Sequence, residues 1–365
     1  MSLRILQISS ARDFGGGERH LVELCRELTK RGCAVHLAHR PGAGWVQKLA
    51  LQKHQLPLRN ALDVQSVQQL ARVARTAQID VIHAHVARDY PLATGAAWMC
   101  PGVKLVFTRH VMFPLKRWHR LTLGRTDGVI AVSSAVARQL HAQRLAQPEK
   151  ISVIHNGIDL ACFTGNLTDA PRAAWQEQME LRPAQFWVGF LGDLNPRKGP
   201  DDFLHIAAQI AAQRSDVAFI VAGPDTSPHG TDRPRLEQLA QELGLQGRVG
   251  FLGALAETAP FYHALEIFVS ASHSESFGLA IAEAMACGVP VIATATDGAC
   301  EIIQDRVTGR LVPIAQPQIL AQNINALLAD AAMRATLARQ ARADVTARFS
   351  LQKMADATLS LYQKL

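Results

Sequence analysis

The chain reads as an α/β protein of two domains, each built on a parallel sheet covered by helices. Its 365 residues exceed one average domain, and 48% of them are apolar, enough for two separate cores. Short apolar runs recur at LRILQI (3–8), CAVHLAH (33–39), IDVIHAH (79–85), VKLVFT (103–108), GVIAVS (128–133) and ISVIHN (151–156), with helical segments between most of them. After a polar, irregular crossing at 160–184, a second series runs through FWVGFLG (186–192), VAFIVAG, RVGFLG, EIFVSAS, VPVIAT and RLVPI. Sheets of this kind bind ligands beyond the carboxyl ends of their strands, so the strand-end loops are where chemistry is expected.

Composition narrows the function classes. The net charge of +7 is uneven: residues 1–170 carry 22 Lys/Arg against 11 Asp/Glu, and residues 171–365 carry 16 against 20. The first half, at +11, suits an anionic partner such as a membrane surface or a phosphorylated lipid. Nucleic acid is not expected, because no binding motif accompanies the charge. Six cysteines without a C-x-x-C or metal spacing read as reduced thiols, and no stretch has the length of a membrane span. A cytoplasmic protein is the expectation.

The loops carry the candidates. In the first strand-to-helix turn, FGGGERH (14–20), Gly16 and Gly17 let backbone N–H groups approach a phosphate at the positive end of a helix, although a merely flexible loop would look similar. It is not the dinucleotide fingerprint, because His20 stands where the third glycine belongs. Helical spacing of Leu21, Leu24, Cys25 and Leu28 follows. His83 and His85 point the same way from one strand, but no third ligand is evident and no metal is expected. His110, at the end of FTRH, either caps a loop or serves the chemistry. Beyond it, HVMFPLKRWHRLTLGR interleaves Lys116, Arg117, Arg120 and Arg125 with Phe113, Leu115, Trp118 and Leu121, and reads as a helix set against anionic lipid or against the domain core.

In the second series, GDLNPRKGP places Arg197 and Lys198 at a strand end, where a lysine can neutralise a diphosphate. The stretch SASHSESFGLAIAEAMACGVPVIAT (270–294) sets Glu275 and Glu283 eight positions apart around the start of a helix. There the backbone of Phe277, Gly278 and Leu279 offers helix-start donors. Both carboxylates could equally be solvated loop and helix residues.

The string E-S-F-G-L-x-x-x-E-A-M-A-C-G-x-P-V-I-A-T closely resembles the E-x7-E segment of the retaining family 4 glycosyltransferases of GT-B fold. The likeness is strongest at 252–312, good at 3–35 and 186–200, and weak at 40–75 and 88–100. It implies two Rossmann-like domains with parallel sheets facing across a cleft, at 1–165 (completed by a terminal helix, 350–365) and 180–348. It also implies a nucleoside diphosphate sugar as donor, with no cofactor. By resemblance Glu275, with Phe277, Gly278 and Leu279, holds the donor sugar, Glu283 the ribose, Gly253 and Ala254 the base, and Lys198 the diphosphate. Gly16 and Gly17 contact diphosphate or acceptor, and His110 the donor sugar. Asp193 stands where the family carries an arginine, and Arg197 is the available substitute.

The expected function is therefore transfer of a sugar to an acceptor hydroxyl in lipopolysaccharide, glycolipid or polysaccharide assembly, on a lipid-linked or saccharide acceptor at the inner face of the membrane. No Asp-x-Asp occurs, so a metal-bridged diphosphate is not expected. A nucleotide-sugar epimerase and a non-catalytic sugar-nucleotide-binding subunit are the alternatives. Removing Glu283 is expected to weaken nucleotide binding and leave the fold intact.

Overall fold

The computed structural model describes residues 2–164 and 171–365. The chain divides into two compact units, Met1–Gly157 with Leu351–Leu365, and Ile158–Ser350. The boundary at Gly157 precedes the expected crossing, part of which (165–170) lies outside the described residues.

In the first unit, seven parallel strands form one sheet: β1 (Arg4–Ser9), β2 (Ala34–His39), β3 (Gln52–Gln55), β4 (Val81–Ala84), β5 (Lys104–Arg109), β6 (Gly128–Ala131) and β7 (Ile151–Val153). Their spatial order is β3-β2-β1-β4-β5-β6-β7. Ile5 of β1 pairs with Val35 on one side and Val81 on the other, so the chain reverses its direction of travel across the sheet at β1 and β4. Strand β3, with the sequence QKHQ, was missed because an edge strand exposed to water has no apolar run to read.

The helix Gly16–Lys30 follows the spacing of its apolar residues: Leu21, Leu24, Cys25 and Leu28 are fully buried against Ile5, Leu37 and Val81. The terminal helix Leu351–Lys364 belongs to this unit as well. Its Leu351, Met354, Ala355 and Tyr362 enter the same core, and its Asp356 accepts from Arg31 Nε at 2.7 Å.

The stretch after His110 corrects one expectation. Residues 111–116 take no helix; a single 3-10 turn (Arg117–His119) and one helical turn (Arg120–Leu123) follow. Pro114 disfavours a helical Phe113 and cannot donate a ladder bond, while Leu115, His119, Thr122 and Leu123 turn inward and fix the loop.

In the second unit, six parallel strands form a sheet: β8 (Phe186–Leu191), β9 (Val217–Ala222), β10 (Val249–Gly253), β11 (Ile267–Ser270), β12 (Val291–Thr294) and β13 (Arg310–Val312). The order β10-β9-β8-β11-β12-β13 repeats the pattern of the first unit. Its direction reverses at β8 and β11, whose loops carry Lys198 and Glu275. No disulfide joins the described cysteines, and no described helix is long and apolar enough to cross a membrane.

Candidate active site

On the second unit, the loop after β8 and the loop after β11 are bound together at three places. His273 N–H donates to the Arg197 carbonyl at 2.9 Å. Gly199, at φ +73°, lies so close to β11's end that an added Cβ would sit 2.2 Å from the Ala271 carbonyl oxygen, an approach only glycine permits. Finally, Lys198 Nζ bonds Glu275 Oε1 at 2.5 Å. Asn195 caps the short turn Pro196–Lys198 through its side chain, and the lysine stem crosses Gly192, where a Cβ would lie 3.4 Å from Lys198 Cγ. Ser272 Oγ donates to Glu275 Oε1 at 2.9 Å, and the side chains of Lys198 and Glu275 keep only 20% and 11% of their exposure. The pair is therefore positioned and mostly enclosed, yet reachable from solvent.

The helix Leu279–Ala286 starts beside this pair, with Gly278 as its N-cap at φ +105°. Glu275 O accepts from Gly298 N–H at 3.0 Å, and Gly298 packs against the Phe277 backbone, which holds the loop Glu275–Gly278 over the helix start. Gly253 and Ala254 lie at the tip of β10, where Gly253 O accepts from Gly223 N–H at 2.8 Å; Ala254 is exposed. Arg197 and Asp193 are half-buried in the loop after β8.

Glu283 differs from its expected setting. It is 1% exposed, and its Oε2 accepts from Thr258 Oγ1 at 3.1 Å and from Tyr262 OH at 3.0 Å. It lies one helical turn in, on the buried side, so it supports the fold as well as any ligand. Glu283→Ala should lower stability by roughly 2 kcal/mol, because two enclosed hydroxyls lose their acceptor. Chemical denaturation measures this, and Glu283→Gln, which keeps an acceptor oxygen, should recover most of it.

On the first unit, the helix after β1 and the carboxyl ends of β4 and β5 bring together four histidines, His20, His83, His85 and His110. His110 follows β5 directly. Its ring lies 4.8 Å from that of His20, edge to face, and 5.5 Å from that of His85, stacked. A Cβ on Gly17 would meet the His110 ring at 3.6 Å, so the Gly-rich turn and His110 face each other. The Gly15 N–H is already taken by Glu18 Oε2 at 3.1 Å, leaving the amides of Gly16 and Gly17 as the first donors of the helix. His83 and His85 do share a face, with ring centroids 4.2 Å apart. The third imidazoles missing from the sequence come from His20 and His110: ring nitrogens of His20, His85 and His110 lie within 4.8 Å of one another, a set that could hold a metal ion. Burial holds all four histidines neutral, His20 near pKa 4 and the others well below their ordinary value.

Asp89 and Ser10 escaped the sequence reading. Asp89 accepts from Ser10 N–H at 2.7 Å, and burial raises its carboxyl to about 6. Gln7, the one amide inside the apolar run LRILQI, was the readable signal for a buried polar network at this strand end.

The pattern of the family described as Glycosyl transferases group 1 matches residues 171–344, and that of Glycosyltransferase Family 4 matches residues 14–161. A D-inositol 3-phosphate glycosyltransferase of Mycobacterium marinum is 29% identical over 392 aligned positions, covering 96% of this chain and 82% of the relative. One of Salinispora arenicola is 28% identical, covering 96% and 87%. The crystal structure of Anabaena HepE in complex with UDP and glucose is similar with a TM-score of 0.86 and 25% identity over 100% of both chains. A glycosyltransferase from Rickettsia africae gives 0.89 at 22% identity, covering 100% of this chain and 98% of the other.

Two parallel sheets, each with its candidate residues at the reversal of strand order, define a glycosyltransferase of GT-B fold. The chain belongs to the family 4 glycosyltransferases, whose two patterns together take in most of its length.

Proposed function

We propose that this enzyme transfers a sugar, with retention, from a nucleoside diphosphate sugar to a hydroxyl of an anionic acceptor. The observation that carries the reading is the Lys198–Glu275 pair at the β8/β11 reversal, beside the start of the helix Leu279–Ala286. As the bond between the anomeric carbon and the diphosphate oxygen breaks, its electron pair gathers on the leaving group. Donors fixed in advance for that charge stabilise the transition state by several kcal/mol. Lys198, Arg197 and the amides of Gly278 and Leu279 fill this role. Glu275 exchanges its lysine contact for a sugar hydroxyl, and Glu283 supports the ribose end from below, with Gly253 and Ala254 at the base. The acceptor oxygen bonds to the anomeric carbon on the face that the diphosphate leaves, and its proton passes to a phosphate oxygen. On the first unit, His110 hydrogen-bonds a sugar hydroxyl, and the Gly16 and Gly17 amides hold phosphate.

The charge of the first half and the named relatives together favour a phosphorylated polyol, of the inositol phosphate kind, as acceptor. Incubation with a panel of labelled sugar nucleotides, with inositol phosphate or with a lipid-linked saccharide, tests this. A product formed with the anomeric configuration of the donor supports the reading. An inverted product, conversion of the donor to an epimer without acceptor, or turnover only with a second protein chain would reject it.

A second reading concerns location. Phe113, Trp118 and Leu121 are 63%, 44% and 76% exposed, amid the exposed cations Lys116, Arg117, Arg120 and Arg125. Apolar side chains ringed by cations suit the surface of an anionic bilayer, where each cation contributes about 1 kcal/mol. Sedimentation with phosphatidylserine vesicles should bring the protein down at low salt. Phe113→Ser with Trp118→Ser should reduce this by on the order of 10-fold without loss of transfer to a soluble acceptor.

A further inference from the structure

Six side chains of the first unit hydrogen-bond in a single row. Thr108 Oγ1 meets His83 Nε2 at 2.7 Å, and His83 Nδ1 meets Tyr362 OH at 2.6 Å. Gln7 Nε2 reaches Tyr362 OH at 3.4 Å, while Gln7 Oε1 meets His85 Nε2 at 2.7 Å. His85 Nδ1 then meets His110 Nε2 at 3.2 Å. Five members are enclosed, at 0% exposure for Gln7, His83 and Thr108, 3% for Tyr362 and 5% for His85; His110 is half-buried at the strand ends. Tyr362 arrives from the terminal helix, 355 positions from Gln7.

Elementary valence sets the direction of the row. An amide oxygen has no hydrogen to give, so His85 carries its proton on Nε2. A neutral imidazole has one N–H, so His85 Nδ1 is a lone pair and must accept from His110 Nε2–H. The opposite end agrees: the Gln7 amide N–H₂ donates to Tyr362, whose hydroxyl can donate to His83 Nδ1, leaving His83 Nε2–H for Thr108. Burial keeps these imidazoles uncharged, so none has a second proton to spare.

We infer that Gln7, held by Tyr362 and acting through His85, fixes His110 in the Nε2–H tautomer, so that its bare Nδ1 is the atom that meets substrate. His110 then accepts a hydrogen bond from a sugar hydroxyl and cannot donate one. Lone-pair density held there faces the positive charge that develops at the sugar as the diphosphate leaves. Gln7 and Tyr362 are positioning residues, and their effect falls on turnover more than on affinity. The inference rests on the reading of His110 as a sugar contact.

The direct test is the tautomer itself. Full-length protein with ¹⁵N-labelled histidine, its His110 signals assigned by loss in His110→Gln, should show a protonated Nε2 and an unprotonated Nδ1 at pH 7.5. A protonated Nδ1 overturns the inference. Gln7→Met removes the oxygen with little change of volume. It should mix the two tautomers of His110 and lower kcat on the order of 10-fold, with KM for the donor nearly unchanged. Tyr362→Phe should act in the same direction and more weakly. Gln7→Glu still offers His85 an acceptor oxygen and should preserve the tautomer. Wild-type tautomer and kcat in a folded Gln7→Met would overturn the inference. Full transfer by His110→Ala would instead remove the role of His110 and leave the tautomer measurement standing by itself.

Discussion

Lys198→Ala is expected to lower turnover at saturating donor by on the order of 10²-fold or more, with a smaller loss of donor affinity. Glu275 holds the Lys198 ammonium at 2.5 Å, which fixes its charge at the strand-end loops where the diphosphate is proposed to lie. Its interaction grows as charge develops, and an interaction that is stronger in the transition state appears in kcat rather than in KM. Lys198→Arg should recover only part of the rate. A planar guanidinium carries its charge further along the stem, and that stem must still cross Gly192. Steady-state kinetics with the best donor from the panel decide this, and a Lys198→Ala enzyme with wild-type kcat would remove the lysine from the chemistry. The substitution also leaves Glu275 with Ser272 alone among these partners, so Lys198→Ala/Glu275→Gln is a useful control. Glu275→Gln measured alone gives the loss due to the sugar contact; a double variant slower than Lys198→Ala by that same factor assigns the lysine's defect to the missing cation and not to a stranded carboxylate.

Acid should destabilise the first unit steeply. His20, His83, His85 and His110 are neutral in the fold, and burial is the largest cause for each. Their folded pKa values lie below the unfolded value of about 6.5, so below that pH the unfolded chain takes up protons that the native state refuses. Stability contributed by these groups is present above pH 6.5 and is lost as the pH falls toward their folded values. For His20, with a folded pKa near 4, the loss amounts to about 3 kcal/mol once pH 4 is reached. Asp89 acts with the opposite sign. Its carboxyl is raised to about 6, so the native state binds a proton between pH 6 and 3.8 that the unfolded state does not, which offsets part of the loss. Glu18 is raised as well, while His36, His54 and His119 are lowered like the four, so the depressed imidazoles of this unit outnumber its raised carboxyls and a net fall remains. Hydrogen exchange of the β1, β4 and β5 amides between pH 7.5 and 5 should register it, and His83→Gln should flatten the slope. A stability profile flat across this interval would mean that the cluster admits protons in the native state.

Much of this was legible in the sequence because the relevant signals are local. Apolar runs marked twelve of the strands, and spacing marked the buried face of Gly16–Lys30. A lysine in a short turn after one strand and a glutamate before a Gly-led helix marked two strand-end loops, which the structure brings into contact. Where local pattern was weak or misleading, the reading failed. The polar strand Gln52–Gln55 is held by its ladder to β2 and not by burial of its own side chains. The alternation of cations and bulky residues after His110 resembled a helix, but Pro114 and the inward pull of Leu115 leave 111–116 irregular and confine the α-helix to the single turn Arg120–Leu123. Glu283 stood at the right place in its motif, yet the side of the helix it occupies was decided by Thr258 and Tyr262, which no spacing rule connects to it.

The sequence by itself determined which segments must be buried, where glycines allow a close approach, and which residue types stand at the strand ends, because each follows from a few neighbouring side chains. Only the tertiary structure decided which strand ends are neighbours. The reversals at β1/β4 and β8/β11 place Gln7 beside His85, and Lys198 beside Glu275, 77 positions later. Tyr362 reaches Gln7 and His83 through the return of the terminal helix to the first core. Hydrogen bonds act over about 3 Å of space regardless of chain separation, so the partners that fix a buried proton are set by packing and not by sequence spacing.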